Sequence, residues 1–207
     1  MEESLGAARC PTYMKRWAVR VLALALSARA ANAAGPAARP ADWATPVEGT
    51  SIGNLYRVEK DLYRGSQPTA AGFRELQALG VRTVLNLAGG KGDQALVPGD
   101  SFKLVHIRMS AFGLRDDRVL EALRVMADPA NRPLMVHCRQ GADRTGAIVA
   151  LYRVVVQGWS KQKALLEMKE GGYHHNELWL NMDYDVMKAD VDALRRALGL
   201  TAPPPKP

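Results

Sequence analysis

Leu134-Met135-Val136-His137-Cys138-Arg139-Gln140-Gly141-Ala142-Asp143-Arg144-Thr145-Gly146 is an apolar strand that runs into a short glycine-containing loop and on into a helix. In open α/β sheets, ligands collect at such strand-to-helix turns. Gly141 allows the backbone to curl, and the amides between Cys138 and the helix start can turn inward as a nest for a phosphate dianion at the positive end of the helix. Arg139, Gln140, Gly141, Ala142, Asp143, Arg144 and Thr145 are therefore the candidate phosphate-binding residues. The same field favours thiolate over thiol, which predicts a Cys138 pKa well below the free value of about 8.5 and a nucleophilic sulfur at neutral pH. Arg144, six positions on, can offer its planar fork to two phosphate oxygens, a geometry lysine lacks. Thr145 is placed to donate its hydroxyl to the cysteine sulfur. His137, at the end of the strand, is read as holding the loop through hydrogen bonds.

Outward from this loop the pattern alternates. Leu55–Val58, Leu62–Arg64, Val81–Leu87, Phe102–Arg108 and Pro133–His137 read as strands. Helices are expected after Thr69 (Phe73, Leu76 and Leu79 on one face, ended by Gly80), over Val119–Ala127 and Thr145–Gln157, over Lys161–Glu170 behind the cap Ser160, and over Leu178–Leu198. The expected class is α/β, with a central, mostly parallel sheet of about four to five strands flanked by helices. Gly89-Gly90-Lys91-Gly92 lacks the spacing of a nucleotide loop and reads as a flexible turn. His174-His175 with Glu177 has no metal-site spacing and reads as solvent-facing, so no metal is assigned. Trp159 and Trp179 read as packing residues, and Lys161, Lys163 and Lys169 as a solvated face.

The chain has 207 residues, 47% hydrophobic and 24% charged, which suits one domain with a real core. Lys15-Arg16, the apolar run Val21–Ala28 and the small-residue end Ala31-Asn32-Ala33 have the order of a secretory leader, with Met14 as an alternative start to Met1. The run is far shorter than the roughly 20 residues a bilayer span needs, so no stable membrane span is expected. Residues 1–33 hold five basic groups and two acids, and removing them lowers the net charge from +7 to +4. That excess suits an anionic substrate and does not point to nucleic acid. The expected organisation is a leader over 1–33, a flexible Ala/Pro-rich linker over 34–46, a domain over 47–199 and a tail over 200–207. The expected location is the periplasm, or the cytoplasm if the leader does not function. Of two cysteines, Cys10 and Cys138, only Cys138 lies beyond the leader.

The pattern His-Cys-x5-Arg-Thr-Gly resembles the signature of the protein tyrosine phosphatase superfamily. With Tyr63-Arg64-Gly65-Ser66-Gln67-Pro68 and Thr83-Val84-Leu85-Asn86-Leu87, it resembles bacterial dual-specificity-like phosphatases in particular. The resemblance covers roughly residues 50–195. It implies phosphate-monoester hydrolysis on tyrosine or serine/threonine through a phosphocysteine on Cys138, with Arg144 binding the phosphoryl group and no cofactor. In the family an aspartate on a mobile loop protonates the leaving oxygen. Here the corresponding Met109-Ser110-Ala111-Phe112-Gly113-Leu114 has no acid, while Asp116 and Asp117 follow it and Asp143 lies inside the phosphate loop. Asp143 is the first choice for general acid, with Asp116 and Asp117 as alternatives; proximity to a phosphate dianion would raise its pKa and Arg144 would oppose this. Arg139 and Asp143 also admit a phosphoinositide or inositol phosphate substrate. A non-catalytic phosphate-binding module and sulfur transfer through a persulfide are the remaining readings.

Overall fold

The computed structural model describes residues 39–97, 99–176 and 180–200. The leader, residues 34–38 of the linker, Glu177, Leu178, Trp179 and the tail after Leu200 lie outside the described residues. Six strands, β1 (Thr45–Pro46), β2 (Tyr56–Glu59), β3 (Leu62–Gly65), β4 (Thr83–Asn86), β5 (Lys103–His106) and β6 (Leu134–His137), form one sheet in the order β1-β2-β3-β6-β4-β5. β3, β6, β4 and β5 are parallel neighbours, while β1 and β2 add antiparallel strands at the β3 side. The helices are α1 (Ala70–Ala78), α2 (Asp116–Ala127), α3 (Asp143–Val155), α4 (Lys161–Glu170), α5 (Leu180–Lys188) and α6 (Val191–Ala197).

The parallel strands are short apolar runs because both of their faces are covered. Tyr63, Val84 and Met135 point to one face, where Phe73 and Leu76 of α1 cover them. Leu62, Leu85, Leu134 and Val136 point to the other, against the larger core built with α2, α3, α4 and α5. This alternation is the period-2 geometry of strands. α3 is buried at every position from Thr145 to Val155, so it shows little amphipathic pattern and reads as an apolar run. The pairing register sets Gly65, His137, Asn86 and His106 in one row at the carboxyl ends of β3, β6, β4 and β5. Cys138 is the next residue beyond that row.

Three expectations are corrected. The sheet has six strands because Thr45–Pro46 pairs with Tyr56 and Arg57 of β2. Part of the stretch read as a linker is accordingly packed: Trp43 and Ala44 are buried, and the Ala44 amide donates to Glu167 Oε1 at 2.6 Å. The single helix expected over Leu178–Leu198 is broken into α5 and α6. Asp190 caps α6 by accepting from the Ala193 amide at 2.9 Å, and Lys161 Nζ donates to the Met187 and Ala189 carbonyls at the end of α5.

Candidate active site

The loop from Cys138 to Ala142 is shaped from outside. Four of its five carbonyls meet groups that precede the loop in the chain, and the fifth, of Ala142, takes the first intrahelical bond of α3. His137 Nδ1 stands 3.1 Å from Cys138 O, the Gln67 amide donates to Arg139 O at 3.3 Å, and Asn54 Nδ2 donates to Gln140 O at 3.2 Å. Arg64 Nη2 donates to Gly141 O at 2.8 Å, and the Gly146 amide to Ala142 O at 2.6 Å. In a trans peptide the N–H points opposite to the C=O. Carbonyls held outward therefore turn the amides of Arg139 through Asp143 to the concave side, which is an anion nest at the start of α3. Gly141 is required twice: its φ is +71°, and a Cβ there would lie 2.3 Å from the Gly65 carbonyl carbon.

Cys138 is 2% exposed at the floor of this curl. The Arg144 guanidinium is half-buried, and among the described residues its hydrogen bond is a long one, Nη1 to Met109 O at 3.5 Å. Most of its fork is left for a ligand. Thr145 is fully buried, but its Oγ1 has no hydrogen-bond partner among the described residues, so the expected bond to the Cys138 sulfur is not present.

Beneath the loop, His137 is fully buried and its Nε2 faces Asp93 Oδ2 at 2.9 Å. Asp93 also accepts from Gln67 Nε2 and Asn86 Nδ2, both at 3.0 Å. Burial by itself would raise the Asp93 pKa, but the hydrogen bond and charge of His137, with those two amides, hold it below the ordinary value. The glycine stretch before it thus leads into a buried anchor. Gln67, Gly90, Lys91, Leu96, Arg139 and Arg144 line a cavity of about 570 Å³ beside the nest.

Asp143 occupies the first turn of α3, but its carboxylate is engaged. His175 Nδ1 lies 2.8 Å from Oδ1, and the Asn176 amide donates to the same oxygen at 3.1 Å. Burial pushes its pKa up, and this is outweighed by the hydrogen bonds from His175 and Asn176 and by the His175 charge, so the pKa is held low and not raised. His175 was expected to face solvent; its side chain is 1% exposed, between Asp143 and Asp183. Asp117 pairs with Arg115 at 2.9 Å, and Asp116 lines a separate cavity with Val119, Lys188 and Leu194. Neither is brought to the nest. The 109–114 loop is tied to α5 instead: Asn181 Nδ2 donates to Ala111 O, and the Leu114 amide to Asp185 Oδ2.

Asn54 and Asp93 lie outside the quoted motifs, and Arg64 and Gln67, though inside one, carry no sign there of their contacts to the loop and to Asp93. The one local signal is Asn54, whose φ of +60° is unusual outside glycine. Among the described residues no group of three or more His, Cys, Asp or Glu side chains converges as a metal site, and no helix is long and apolar enough to cross a membrane.

The family model described as "DSP-PTPase phosphatase fused to NAD+ Kinase" matches residues 38–180, a span that contains the whole nest. The chain belongs to this phosphatase family. Within it, the dual specificity protein phosphatase TpbA of Pseudomonas aeruginosa is 39% identical over 170 residues, 82% of this chain and 76% of the relative. An inositol diphosphatase of Arabidopsis thaliana is 29% identical over 160 residues, 70% of this chain and 74% of the relative. The crystal structure of P. aeruginosa TpbA matches with a TM-score of 0.70 and 38% identity, covering 78% of this chain and 99% of that one. A cysteine-to-serine variant of TpbA in complex with pTyr matches at 0.71 and 36%, covering 79% and 99%. The core of a PP-IP phosphatase from S. cerevisiae, 22% identical with a TM-score of 0.61, covers 72% of this chain and 92% of its own and shares the fold.

Proposed function

We propose that this DSP-PTPase hydrolyses phosphate monoesters through a phosphocysteine on Cys138, with a preference for leaving groups that depart without a positioned proton donor. The observation that carries the first half is the bracketing of the four carbonyls from Cys138 to Gly141 by His137, Gln67, Asn54 and Arg64, which leaves inward amides and the Arg144 fork for a phosphoryl group. The Cys138 thiolate attacks phosphorus, the P–O bond breaks, and the leaving oxygen departs with its electron pair. Water then attacks phosphorus, the S–P bond breaks, and inorganic phosphate leaves with the thiolate restored. Arg144 and the amides meet the equatorial oxygens in both steps.

The second half rests on Asp143, whose oxygen is occupied by His175 and Asn176. An ionised carboxylate accepts and does not donate, so we assign Asp143 a positioning role in place of the proton-donor role the motif suggested. With Asp143 ionised, the leaving oxygen draws its proton from water. A phenolate, of pKa about 10, or a phosphate leaving from an anhydride then departs more readily than an alkoxide. This favours phosphotyrosine over phosphoserine and phosphothreonine. The pTyr complex of TpbA and the inositol diphosphatase relatives support the same two classes. Lys91 and Arg139 in the cavity beside Arg144 favour a second reading, a diphosphorylated or otherwise polyanionic substrate.

The test is a substrate panel of a phosphotyrosine peptide, its phosphoserine counterpart, an inositol diphosphate and a series of aryl phosphates. Cys138→Ser should abolish turnover, and rates should fall steeply with leaving-group pKa. Asp143→Asn should lose about tenfold on good and poor leaving groups alike. A loss confined to poor leaving groups would restore Asp143 as the acid. The leader pattern supports export to the periplasm, which cell fractionation with intact mass would check.

A further inference from the structure

We propose that Arg64 is a positioning residue whose buried, uncompensated charge, set behind the nest, holds it for an anion; the proposal rests on the phosphate-binding reading above, which uses the hydrogen bond of Arg64 and not its charge. Arg64 is 1% exposed at the end of β3, next to the row that Gly65 shares with His137. Its Nη2 fixes the Gly141 carbonyl outward, its guanidinium carbon lies 3.7 Å over the Tyr173 ring, and its Nε is buried with no partner.

A buried guanidinium is normally matched by a carboxylate. The carboxylate in this region, Glu167, is already committed. Arg153 takes both of its oxygens at 2.9 Å, and Tyr173 Oη and the Ala44 amide donate to Oε1 at 3.0 and 2.6 Å. Arg153, Glu167 and Arg64 are 3%, 2% and 1% exposed. Two buried guanidiniums therefore face one buried carboxylate, and one positive charge is left over. Among the described residues no carboxylate forms an ion pair with Arg64. Arginine keeps its charge in proteins. Burial opposes that charge, and the groups that support it are Tyr173, Glu167, Cys138 and Tyr56. Of these, Cys138 lies on the side of the nest. The leftover charge is thus matched by what the nest holds, a thiolate or a bound phosphate.

Wild-type protein, Arg64→Gln and Arg64→Lys separate the charge from the hydrogen bond, since Gln can still donate to Gly141 O and Lys keeps the charge. Two readouts do not need turnover: the thermal shift given by inorganic phosphate, and the ratio of inactivation rates by iodoacetate and iodoacetamide. The ratio reports the field at the sulfur, because the two reagents differ in charge and not in target. Arg64→Gln should weaken phosphate binding about tenfold and lower the ratio by a similar factor, with Arg64→Lys within about threefold of wild type on both. Gln behaving as wild type would overturn the proposal. Should Gln fail to fold, Lys decides, a ratio lowered about tenfold counting against the proposal. A wild-type protein that neither binds phosphate nor prefers iodoacetate would overturn the phosphate-nest reading itself, which a failure at Arg64 alone would not.

Discussion

Asp93 shows how much of the candidate site depends on a single side chain outside the motif. Its carboxylate joins Gln67, Asn86 and His137, so one residue links the turns after β3 and β4 to the residue before the nucleophile. Its pKa is depressed on folding, so its contribution is present above the unfolded value of about 3.9 and is lost as pH falls from there towards the folded value. Asp93→Asn should cost about 2 kcal/mol at pH 7, less at pH 3. Urea unfolding at the two pH values would measure this, and an equal gap at both would remove the electrostatic account. At this scale Cys138, Gly141 and Arg144 are legible in the sequence because their roles follow from contiguous spacing. Asn54 and Arg64 are not, because a backbone carbonyl as partner leaves no mark on residue identity, and Asp93 is not, because its partners lie 7 to 44 positions away. The surroundings of Asp143 are hidden for a related reason, since its place in the motif does not show that His175 lies 2.8 Å from its carboxylate.

At the level of elements, capping was the most reliable guide. Thr69 accepts from the Gly72 amide and Ser160 from the Lys163 amide, and the helices behind them start where those residues place them. The same rule at Asp190 breaks the C-terminal helix, where apolar periodicity alone suggests continuity. The two-residue β1 is too short to show alternation. α5 has a task that its periodicity does not reveal, because through Asn181 and Asp185 it holds the loop whose Met109 carbonyl supports Arg144. Asp185→Ala leaves the buried Leu114 amide without its acceptor. We expect a loss of about 1–2 kcal/mol, faster hydrogen exchange at Leu114, and a lower kcat/KM with Cys138 still reactive to iodoacetamide. Unchanged exchange at Leu114 would show that α5 does not hold the loop.

At the scale of the molecule, Glu167 joins the start of the described chain and the turn after α4 to the layer beneath the nest. It binds Ala44 before β1, Arg153 in α3 and Tyr173 after α4. Removing it leaves Arg153 buried and unpaired, and Glu167→Ala should destabilise by about 4 kcal/mol, read as a lower denaturation midpoint. A cost below about 1 kcal/mol would show that the network is not structural. The α/β class and the parallel centre of the sheet were legible because strands and helices alternate in sequence. The order of the strands was not, since nothing local marks β3 as the neighbour of β6. That adjacency brings Asn54, Arg64 and Gln67 against a loop more than 70 positions later in the chain. Contacts so distant in sequence close slowly during folding, because the intervening chain must be ordered before they form. A folding intermediate containing β6 and α3 alone would carry the full signature yet lack the groups that turn its carbonyls outward.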